Sequence, residues 1–338
     1  MTIGWIDEPG KPTTTVVAGL ESAVDAASWC AEHHEELRRA LTVYGALFLR
    51  GLPIHTTADF AAVRDALFTR RAAYQEKATP RSNYGDDVFS STDLPAGHAI
   101  RMHNENSYTL TFPGLLLFGC LTAPEDGGAT PVADVREVLR HVPDELLARF
   151  RGHGWRLTRN YAEHLSLNWR TALAADSRED AERYLADNDI EAVWGADDTL
   201  RTSQRRAATI RHPETGAEVW FNHVAFWNEW SLEPDIREVL IGEFGREGLP
   251  FNTFLGDGTP LTEPEAEILH AAYEKATVRR AWQPGDLLLV DNVLAAHGRD
   301  PFRGDRRILV GMGEPTALSD CSPSADFASS AMNGAQHV

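Results

Sequence analysis

The chain has 338 residues, of which 43% are hydrophobic, and 32 Lys and Arg oppose 50 Asp and Glu to give a net charge of −18. This composition is that of a globular protein with one large domain or two modest ones, which excludes a disordered or collagen-like chain. The acidic balance argues against nucleic-acid and anionic-membrane partners, because both need a basic surface. The longest apolar run covers only residues 114–121 and the N-terminus begins acidic, so neither a membrane span nor a secretion signal is expected.

Strands and helices alternate in the N-terminal part of the predicted fold. A β-rich TTTVVAG precedes a predicted helix that runs from an N-cap at Ser28 to Gly45, with apolar residues at helical spacing. An apolar ALFLRGL strand follows, and then a second helix over residues 57–71 that a threonine caps. From 83 to 131, turn residues separate short extended runs, which favours an antiparallel sandwich or barrel.

The second half of the chain begins with a helical stretch over residues 134–150 and returns to strands near the end. A charged insert from about 164 to 204 is predicted to form helices and loops that lie over a sheet. Strands are then expected in EVWFNH, GDLLLVDN and RRILVGM. Because no linker interrupts the strand segments, we predict a β-sandwich with helical flanks as one domain over residues 1–315, and a flexible tail over 316–338.

Two separated segments carry residue types that bind metals. His103 and Glu105 alternate in a predicted strand, so their side chains face the same side. This pair alone is weak, because a surface strand with two polar residues gives the same pattern. His297 follows a very apolar strand in VDNVLAAHGR and is alternatively a core histidine bonded to a carbonyl. Together, two histidines and one carboxylate are the set that binds non-haem Fe(II) and leaves coordination positions open.

A third segment adds cations close to the distal histidine. Arg306 and Arg307 begin the strand RRILVGM, where a guanidinium could hold a dicarboxylate through a bidentate pair. A double arginine by itself is usually a solvated surface feature. The order of the H-x-E pair, the distal histidine and then the arginines is much more specific than any of its parts.

The stretches HNENSYTLTFPGLLLFGCLTAPEDGGATPVADVR and WQPGDLLLVDNVLAAHGRDPFRGDRRILVGM resemble the signature blocks of the TauD/TfdA-like Fe(II)/2-oxoglutarate-dependent dioxygenases. The similarity is greatest to the branch with Glu in the metal triad, which includes clavaminate-synthase-like enzymes and amino-acid hydroxylases of nonribosomal peptide pathways. Residues 159–161, 211–223 and 244–258 also resemble that branch, so the likeness covers roughly residues 45–315 in order.

The resemblance implies a double-stranded β-helix (jelly-roll) core in a β-rich α+β fold, with flanking helices and a helical insert. It implies Fe(II), 2-oxoglutarate and O₂ as cofactor and cosubstrates, and His103, Glu105 and His297 as the iron ligands. Thr130 and an arginine are expected to hold 2-oxoglutarate. Arg306 is favoured, because the branch usually shows an arginine followed by Arg or Lys, and Arg307 is left open. Only one of the two can be the ligand, because successive side chains of a strand point to opposite faces.

The implied reaction is hydroxylation of an unactivated C–H bond of an amino acid or amino-acid derivative in specialised-metabolite biosynthesis. Glu105 argues against a halogenase, which needs that position vacant for chloride. Desaturation, cyclisation and epoxidation stay open. So do two other classes, a non-catalytic metal- or ligand-binding jelly roll and a hydrolytic zinc site, although neither needs the arginine and the threonine.

Four residues are candidates for contact with the substrate. Arg101 shares the face of His103 if the alternation holds, so it either binds a substrate carboxylate or forms an ion pair at the cavity rim. Asn104 and Tyr108 lie near the metal, although Tyr108 is equally a core residue. Asn222 ends a strand beside the cavity. The adjacent histidine is expected to be a wall, and four tryptophans are assigned to packing: Trp220, Trp227, Trp230 and Trp282.

The cellular compartment of the protein and the form of its substrate, free or carrier-bound, are predicted more coarsely. Three cysteines at wide spacing suit a reducing cytoplasm better than a disulfide framework. The substrate is expected to be a small molecule, either free or tethered to a carrier protein. Because a charge of −18 repels an acidic carrier protein, the free form is favoured.

Overall fold

A computed structural model of the protein describes residues 4–5, 12–73, 76–78, 81–161, 166–323 and 327. The N-terminal part consists of β1 (Thr13–Val16), α1 (Ala23–Glu32), α2 (His34–Tyr44), β2 (Ala46–Arg50) and α3 (Thr57–Leu67). The next segment contains β3 (Phe89–Ser90), β4 (Ile100–His103), β5 (Thr111–Thr122), β6 (Asp126–Gly127), β7 (Val132–Asp134), α4 (Val135–His141), α5 (Asp144–His153) and β8 (Trp155–Tyr161).

The remaining elements complete the second half of the chain. The third segment contains α6 (Trp169–Leu173), α7 (Arg178–Asp187), β9 (Glu191–Trp194), β10 (Leu200–Arg206), β11 (Thr209–Arg211), β12 (Glu218–Trp220), α8 (Val224–Trp227) and α9 (Pro234–Phe244). The last segment contains β13 (Phe251–Leu255), α10 (Glu263–Ala276), β14 (Thr277–Val278), β15 (Leu287–Asp291), β16 (Ala295–Arg299), β17 (Phe302–Arg303) and β18 (Arg307–Ala317). Short 3₁₀ turns lie at Ala196–Asp198, Glu229–Ser231, Arg246–Gly248 and Leu318–Asp320.

Two sheets form the jelly-roll core, which confirms the predicted fold class. The larger sheet has the order β1-β2-β15-β5-β18-β3, and the smaller has the order β14-β7-β16-β4. Only β1 pairs parallel to its neighbour within these sheets; the other pairs are antiparallel. The smaller sheet carries both histidines of the predicted metal site, on β4 and β16.

The central strands of the larger sheet are buried on both faces, which explains why they are apolar throughout. Alternate residues such as Leu47, Leu117 and Leu289 pack with helices α1–α3 on the outer side. The residues between them in the larger sheet face the inner side and pack with residues of the smaller sheet. These inner residues include Phe48, Leu116, Phe118, Leu288 and Val290. The helices thus cover the outer face of the larger sheet, and its inner face contributes to the cavity.

The first predicted helix is two helices, and its predicted start is wrong. Ser22 is the N-cap of α1, and it forms a reciprocal capping box with Asp25. Ser28 lies inside α1, which ends at Glu32 with His33 as its C-cap. The second helix, α2, ends at Tyr44, and its C-cap Gly45 has a φ of 72° that suits glycine. Thr56 caps α3 in the same reciprocal way as Ser22 caps α1, but α3 ends at Leu67 rather than at residue 71.

The insert predicted over residues 164–204 contains strands as well as helices. It carries α6, α7, β9 and most of β10, and β8 and β10 pair within a third sheet of order β13-β8-β10-β9. The prediction of a helical insert was therefore incomplete, because alternate residues of β10 are buried and the half-buried residues between them include Arg201 and Arg205, whose charges suggested loops. Residue 164 itself lies outside the described residues.

The C-terminal segment continues past the predicted domain boundary. Residue 315 lies within β18, Cys321 is fully buried, and the Arg211 N–H donates to the Ser322 carbonyl at 2.9 Å. Residues 324–326 and 328–338 of the predicted tail lie outside the described residues. None of the helices in the described part of the chain combines the length and the apolar character that a membrane crossing requires.

Candidate active site

His103 and His297 face each other across two antiparallel strands. His103 is the last residue of β4 and is the register partner of His297 in β16, and their ring centroids are 4.5 Å apart. The Nδ1 of His103 lies 2.9 Å from the carbonyl oxygen of Arg101 and donates to it, which leaves Nε2 for the interior. A β-carbon at Gly298 would lie 2.6 Å from the Ile100 carbonyl oxygen, so glycine is needed for β4 to approach β16 this closely.

Glu105 completes the cluster from the turn that follows β4. The predicted strand alternation is therefore wrong for Glu105, although the two side chains do come together. Its Oε2 lies 3.7 Å from Nε2 of His297, and ligand atoms of His103, Glu105 and His297 all lie within 4.8 Å of one another. All three residues are buried. Nitrogen and carboxylate donors in a two-histidine, one-carboxylate set fit iron(II).

The protonation states of the two histidines also suit a metal. Burial lowers the pKa of His103, with the charge of Glu105 opposing that effect. Burial also holds the pKa of His297 well below the ordinary value for histidine, and His103 and Arg81 lower it further. Both imidazoles are therefore neutral near pH 7, which is the form that binds a metal ion.

The cluster opens into a cavity of about 600 Å³, open solvent at its mouth included. Aromatic rings form much of its wall, namely Tyr108, Phe118, His223, Phe226 and Trp227. The Nδ1 of His223 lies 2.6 Å from the Ser107 hydroxyl, and burial holds its pKa well below the ordinary value, so it is a neutral wall residue. Trp227 was assigned to packing and stacks on Phe251 at 4.5 Å, but it lines the cavity as well.

Arg306 and Thr130 lie together in this cavity. The Arg306 Nη2 donates to the Thr130 hydroxyl at 3.2 Å, and its Nε donates to the Gly128 carbonyl at 2.9 Å. The indole N–H of Trp282 also donates to the Thr130 hydroxyl at 3.2 Å, which gives that tryptophan a role beyond packing. Burial, reinforced by the charge of Arg299, lowers the pKa of Arg306 to about 10, so the guanidinium stays charged at neutral pH.

Arg307 lies outside the cavity, so it does not share the position of Arg306. Its side chain is exposed, its Nη2 is 3.4 Å from the Thr57 hydroxyl, and its guanidinium carbon lies 5.2 Å from the centroid of the Tyr84 ring. Only Arg306 reaches the interior, as the opposite-face argument requires.

The four predicted substrate contacts divide into one cavity residue and three that face elsewhere. Tyr108 lines the cavity and donates its hydroxyl to the Glu76 carbonyl at 2.9 Å. Asn104 donates to the Asn292 carbonyl at 2.7 Å, and Asn222 donates to the Ala208 carbonyl at 3.0 Å. Each of these buried side-chain amides donates to a main-chain carbonyl. The geometry therefore does not support the prediction that Asn104 and Asn222 contact a substrate.

The prediction that Arg101 shares the face of His103 is also wrong. It is exposed and donates to the Ser231 carbonyl at 3.2 Å, in a neighbouring groove beside α10. The strand pairing shifts register between His297 and Arg299, opposite this part of β4. The irregularity breaks the simple alternation that would have placed Arg101 beside His103.

Arg81 is a cavity residue that the sequence reasoning missed. Its side chain is 7% exposed, and its Nη2 lies 2.9 Å from Oε2 of Glu105. It sits in a loop between α3 and β3 without any periodic pattern, so its neighbours in sequence gave no signal. The cavity lining contains three arginines and one carboxylate, so its net charge is positive: Arg81, Arg299, Arg306 and Glu105.

The chain matches the model of the family described as "Taurine catabolism dioxygenase TauD, TfdA family" over residues 8–312. It is 35% identical over 306 residues to the dapdiamide synthesis protein DdaC of Enterobacter agglomerans, covering 90% of this chain and 92% of that protein. It is 29% identical over 283 residues to the clavaminate synthase-like protein At3g21360 of Arabidopsis thaliana, covering 79% of this chain and 81% of that protein. A solved structure of AAD-2 in complex with Mn(II) and N-oxalylglycine superposes with a TM-score of 0.52 at 15% identity, covering 96% of this chain and 100% of that chain.

The chain therefore belongs to the TauD/TfdA family and is an Fe(II)/2-oxoglutarate-dependent dioxygenase. Its cofactor is iron and its cosubstrates are 2-oxoglutarate and O₂.

Thr130 offers a graded test of the expectation that it helps to hold 2-oxoglutarate. We expect Thr130→Val to raise KM for 2-oxoglutarate about 5-fold, because one hydrogen bond contributes about 1 kcal/mol. The turnover number should change little, since valine keeps the shape of the side chain. The measurement is steady-state succinate formation at varied 2-oxoglutarate. The control is Thr92→Val, another cavity threonine, whose hydroxyl accepts the Leu94 N–H at 3.1 Å. An unchanged KM would remove Thr130 from the binding site.

Proposed function

We propose that His103, Glu105 and His297 hold the iron and that Arg306 and Thr130 bind the distal carboxylate of 2-oxoglutarate. One observation carries this proposal: the buried two-histidine, one-carboxylate cluster and the Arg306–Thr130 pair line the same cavity. A non-catalytic binding protein needs no such pair beside a metal cluster, and neither does a hydrolytic zinc site.

The reaction we propose is hydroxylation of an unactivated C–H bond. Iron(II), 2-oxoglutarate and O₂ together supply the oxidising power when they are bound. The protein residues orient the reactants: Arg306 neutralises and aligns the cosubstrate, while Phe118, Phe226 and Trp227 keep water away from the reacting carbon. Glu105 occupies the position that a halogenase would leave to chloride, which supports transfer of oxygen.

The substrate we propose is an amino acid or amino-acid derivative that is free rather than carrier-bound. The likeness to a dapdiamide synthesis protein supports a role in specialised-metabolite biosynthesis. The cationic lining of the cavity supports a substrate that carries a carboxylate, and Arg81 is the residue placed nearest the metal cluster to receive it. We also propose a reducing cytoplasmic setting, because all three cysteines are free and buried.

The test is O₂-dependent succinate formation after addition of Fe(II) and 2-oxoglutarate, screened against free and carrier-bound amino acids. We expect a free substrate to stimulate succinate formation and to gain one oxygen atom by mass spectrometry. Turnover on the carrier-bound form alone would contradict the free-substrate proposal, and loss of two hydrogens would point to desaturation or cyclisation. Absence of O₂-dependent succinate under all conditions would contradict the proposed chemistry itself.

Arg81 gives a test of how the substrate is bound. We expect Arg81→Gln to raise KM for a carboxylate-bearing substrate by about 10-fold or more, because a hydrogen bond to a charged group contributes about 1.5–3 kcal/mol. KM for 2-oxoglutarate should stay near the wild-type value. Steady-state kinetics on the free acid and on its primary amide provide the comparison. Equal losses on the acid and the amide would show that Arg81 acts on Glu105 rather than on the substrate.

A further inference from the structure

Asn292 joins the two segments that carry the metal cluster. It is fully buried in the turn between β15 and β16, and its Oδ1 accepts the N–H of Glu105 at 2.7 Å. Its Nδ2 donates to the carbonyl oxygens of Glu105 at 2.9 Å and Pro113 at 2.8 Å. A single side-chain amide therefore satisfies both main-chain groups of Glu105, as a neighbouring strand would.

The main chain of Asn292 strengthens the same connection. Its carbonyl accepts a hydrogen bond from the Asn104 side chain at 2.7 Å, and its N–H donates to the Gly114 carbonyl at 2.9 Å. Asp291 shapes the turn from the other side, because its Oδ1 accepts the N–H groups of Val293 at 2.9 Å and Leu294 at 3.1 Å. The turn that leads to His297 is thereby held against the segment of Glu105.

Glu105 needs this support because of where it lies in the fold. The paired part of β4 ends at His103, so no ladder of strand hydrogen bonds reaches Glu105. A main chain without such a partner lets the carboxylate shift relative to His297, and metal sites tolerate displacements of only about 0.5 Å. Arg81 contacts the side-chain carboxylate of Glu105, whereas Asn292 bonds both the main-chain N–H and the main-chain carbonyl of Glu105.

We propose that Asn292 is a positioning residue that fixes Glu105 relative to His297 and so sets the geometry of the metal site. This inference rests on the proposed roles of His103, Glu105 and His297 as ligands. Asn292 does not touch substrate or metal, so its influence passes through the main chain of Glu105. Partners of this outer kind contribute about 10- to 100-fold to metal affinity in other metal sites.

Asn292→Asp is the sharpest substitution because it keeps the size and shape of the side chain. The remaining oxygen can still accept the Glu105 N–H, but the donor becomes an oxygen that faces two carbonyl oxygens. Asn292→Ser is the second variant, in case the aspartate disrupts folding. The small serine side chain leaves room for a water molecule. Both variants retain every residue of the proposed ligand set.

The control is Asn228→Asp, which makes the same chemical change at another buried turn. Asn228 is 2% exposed, donates to the Thr253 carbonyl at 3.0 Å and accepts the Trp230 N–H at 3.2 Å. Its bonds hold β13 and the turn after α8 and do not involve the segments of Glu105 or His297. It therefore reports the general cost of converting a buried, hydrogen-bonded asparagine to aspartate.

The experiment titrates the metal-free full-length proteins with Co(II) and records both the dissociation constant and the visible d–d absorption. We expect Asn292→Asp to bind Co(II) about 10- to 100-fold more weakly than the wild type, with altered d–d bands. Asn292→Ser should show a smaller loss in the same direction. Asn228→Asp should keep the wild-type affinity and spectrum, whatever its melting temperature.

The outcomes separate this inference from the proposed function. Wild-type affinity and spectrum in Asn292→Asp or Asn292→Ser, or equal weakening in Asn228→Asp, would overturn the positioning role. His103→Ala is included in the same titration: if it binds Co(II) as the wild type does, the ligand assignment fails and the inference fails with it. If His103→Ala loses Co(II) while Asn292→Asp does not, only the inference fails.

Discussion

Replacing His103 or His297 with alanine should abolish O₂-dependent succinate formation, leaving no more than the background of the chelator-treated protein. Each substitution removes one of the three candidate ligand atoms that lie within 4.8 Å of one another, and the remaining two no longer form the two-histidine, one-carboxylate set that suits iron(II). The effect should appear both in turnover and in Co(II) binding. The measurement pairs succinate formation under Fe(II) and 2-oxoglutarate with a metal titration of the same preparations.

His223→Ala is the matched control for these two variants. His223 is also buried in the cavity wall, and its ring centroid lies 5.3 Å from that of His103, but it is not a member of the metal cluster. We expect His223→Ala to retain Co(II) binding while its turnover on the substrate falls. Retained iron-dependent turnover in His103→Ala would contradict the triad, and loss of metal binding in His223→Ala would require a different ligand set.

Arg306→Met should raise KM for 2-oxoglutarate by about 30-fold or more, the second large effect expected. Removing one partner of a buried, hydrogen-bonded charge pair costs about 2–5 kcal/mol, and each 1.4 kcal/mol is tenfold in affinity. Methionine retains most of the apolar stem, so the loss reports the guanidinium rather than a packing defect. The measurement is the dependence of succinate formation on 2-oxoglutarate, supported by direct binding under anaerobic conditions.

Arg307→Met is the adjacent control. Arg307 is exposed and contacts Thr57 and Tyr84, so its removal should leave KM for 2-oxoglutarate within about 2-fold of the wild type, as for most surface substitutions. A larger effect at Arg307 than at Arg306 would reverse the assignment. Equal small effects at both positions would mean that another cation of the cavity binds the cosubstrate.

Much of the candidate metal cluster could be predicted from sequence because its proposed ligands occupy short, ordered motifs. His103 and Glu105 are two residues apart, and His297 follows a strand whose burial on both faces makes it uniformly apolar. The same reasoning placed Arg306 and Arg307 close to that histidine. The resemblance favoured Arg306, but local sequence left Arg307 open, since the face of a strand that lines the cavity depends on which sheet covers it.

The residues that sequence reasoning missed or misplaced depend on contacts between distant segments. Arg81 reaches Glu105 from a loop, Asn104 and Asn222 turn their amides towards the main chain, and Arg101 leaves the cavity opposite a register shift. None of these orientations follows from local periodicity, because a side chain in a turn or beside a bulge does not obey the two-residue alternation of a regular strand. Arg101 therefore lies on the predicted strand but faces a neighbouring groove. Asn222 lies in the turn after β12, which ends at Trp220, and not in the strand predicted for it.

The sequence by itself determined the class of chemistry, because the ordered motifs of His103, Glu105 and His297 pointed to iron. Its acidic charge argued against nucleic-acid and anionic-membrane partners, which stays a prediction. Only the tertiary structure decided that Arg306 and not Arg307 enters the cavity, that Arg81 stands beside Glu105, and that Asn292 holds the turn together. The physical reason is that ligand identity is a local property of residue type and spacing. Orientation instead depends on hydrogen bonds and burial between segments nearly 200 positions apart, such as the 187-residue separation between Glu105 and Asn292.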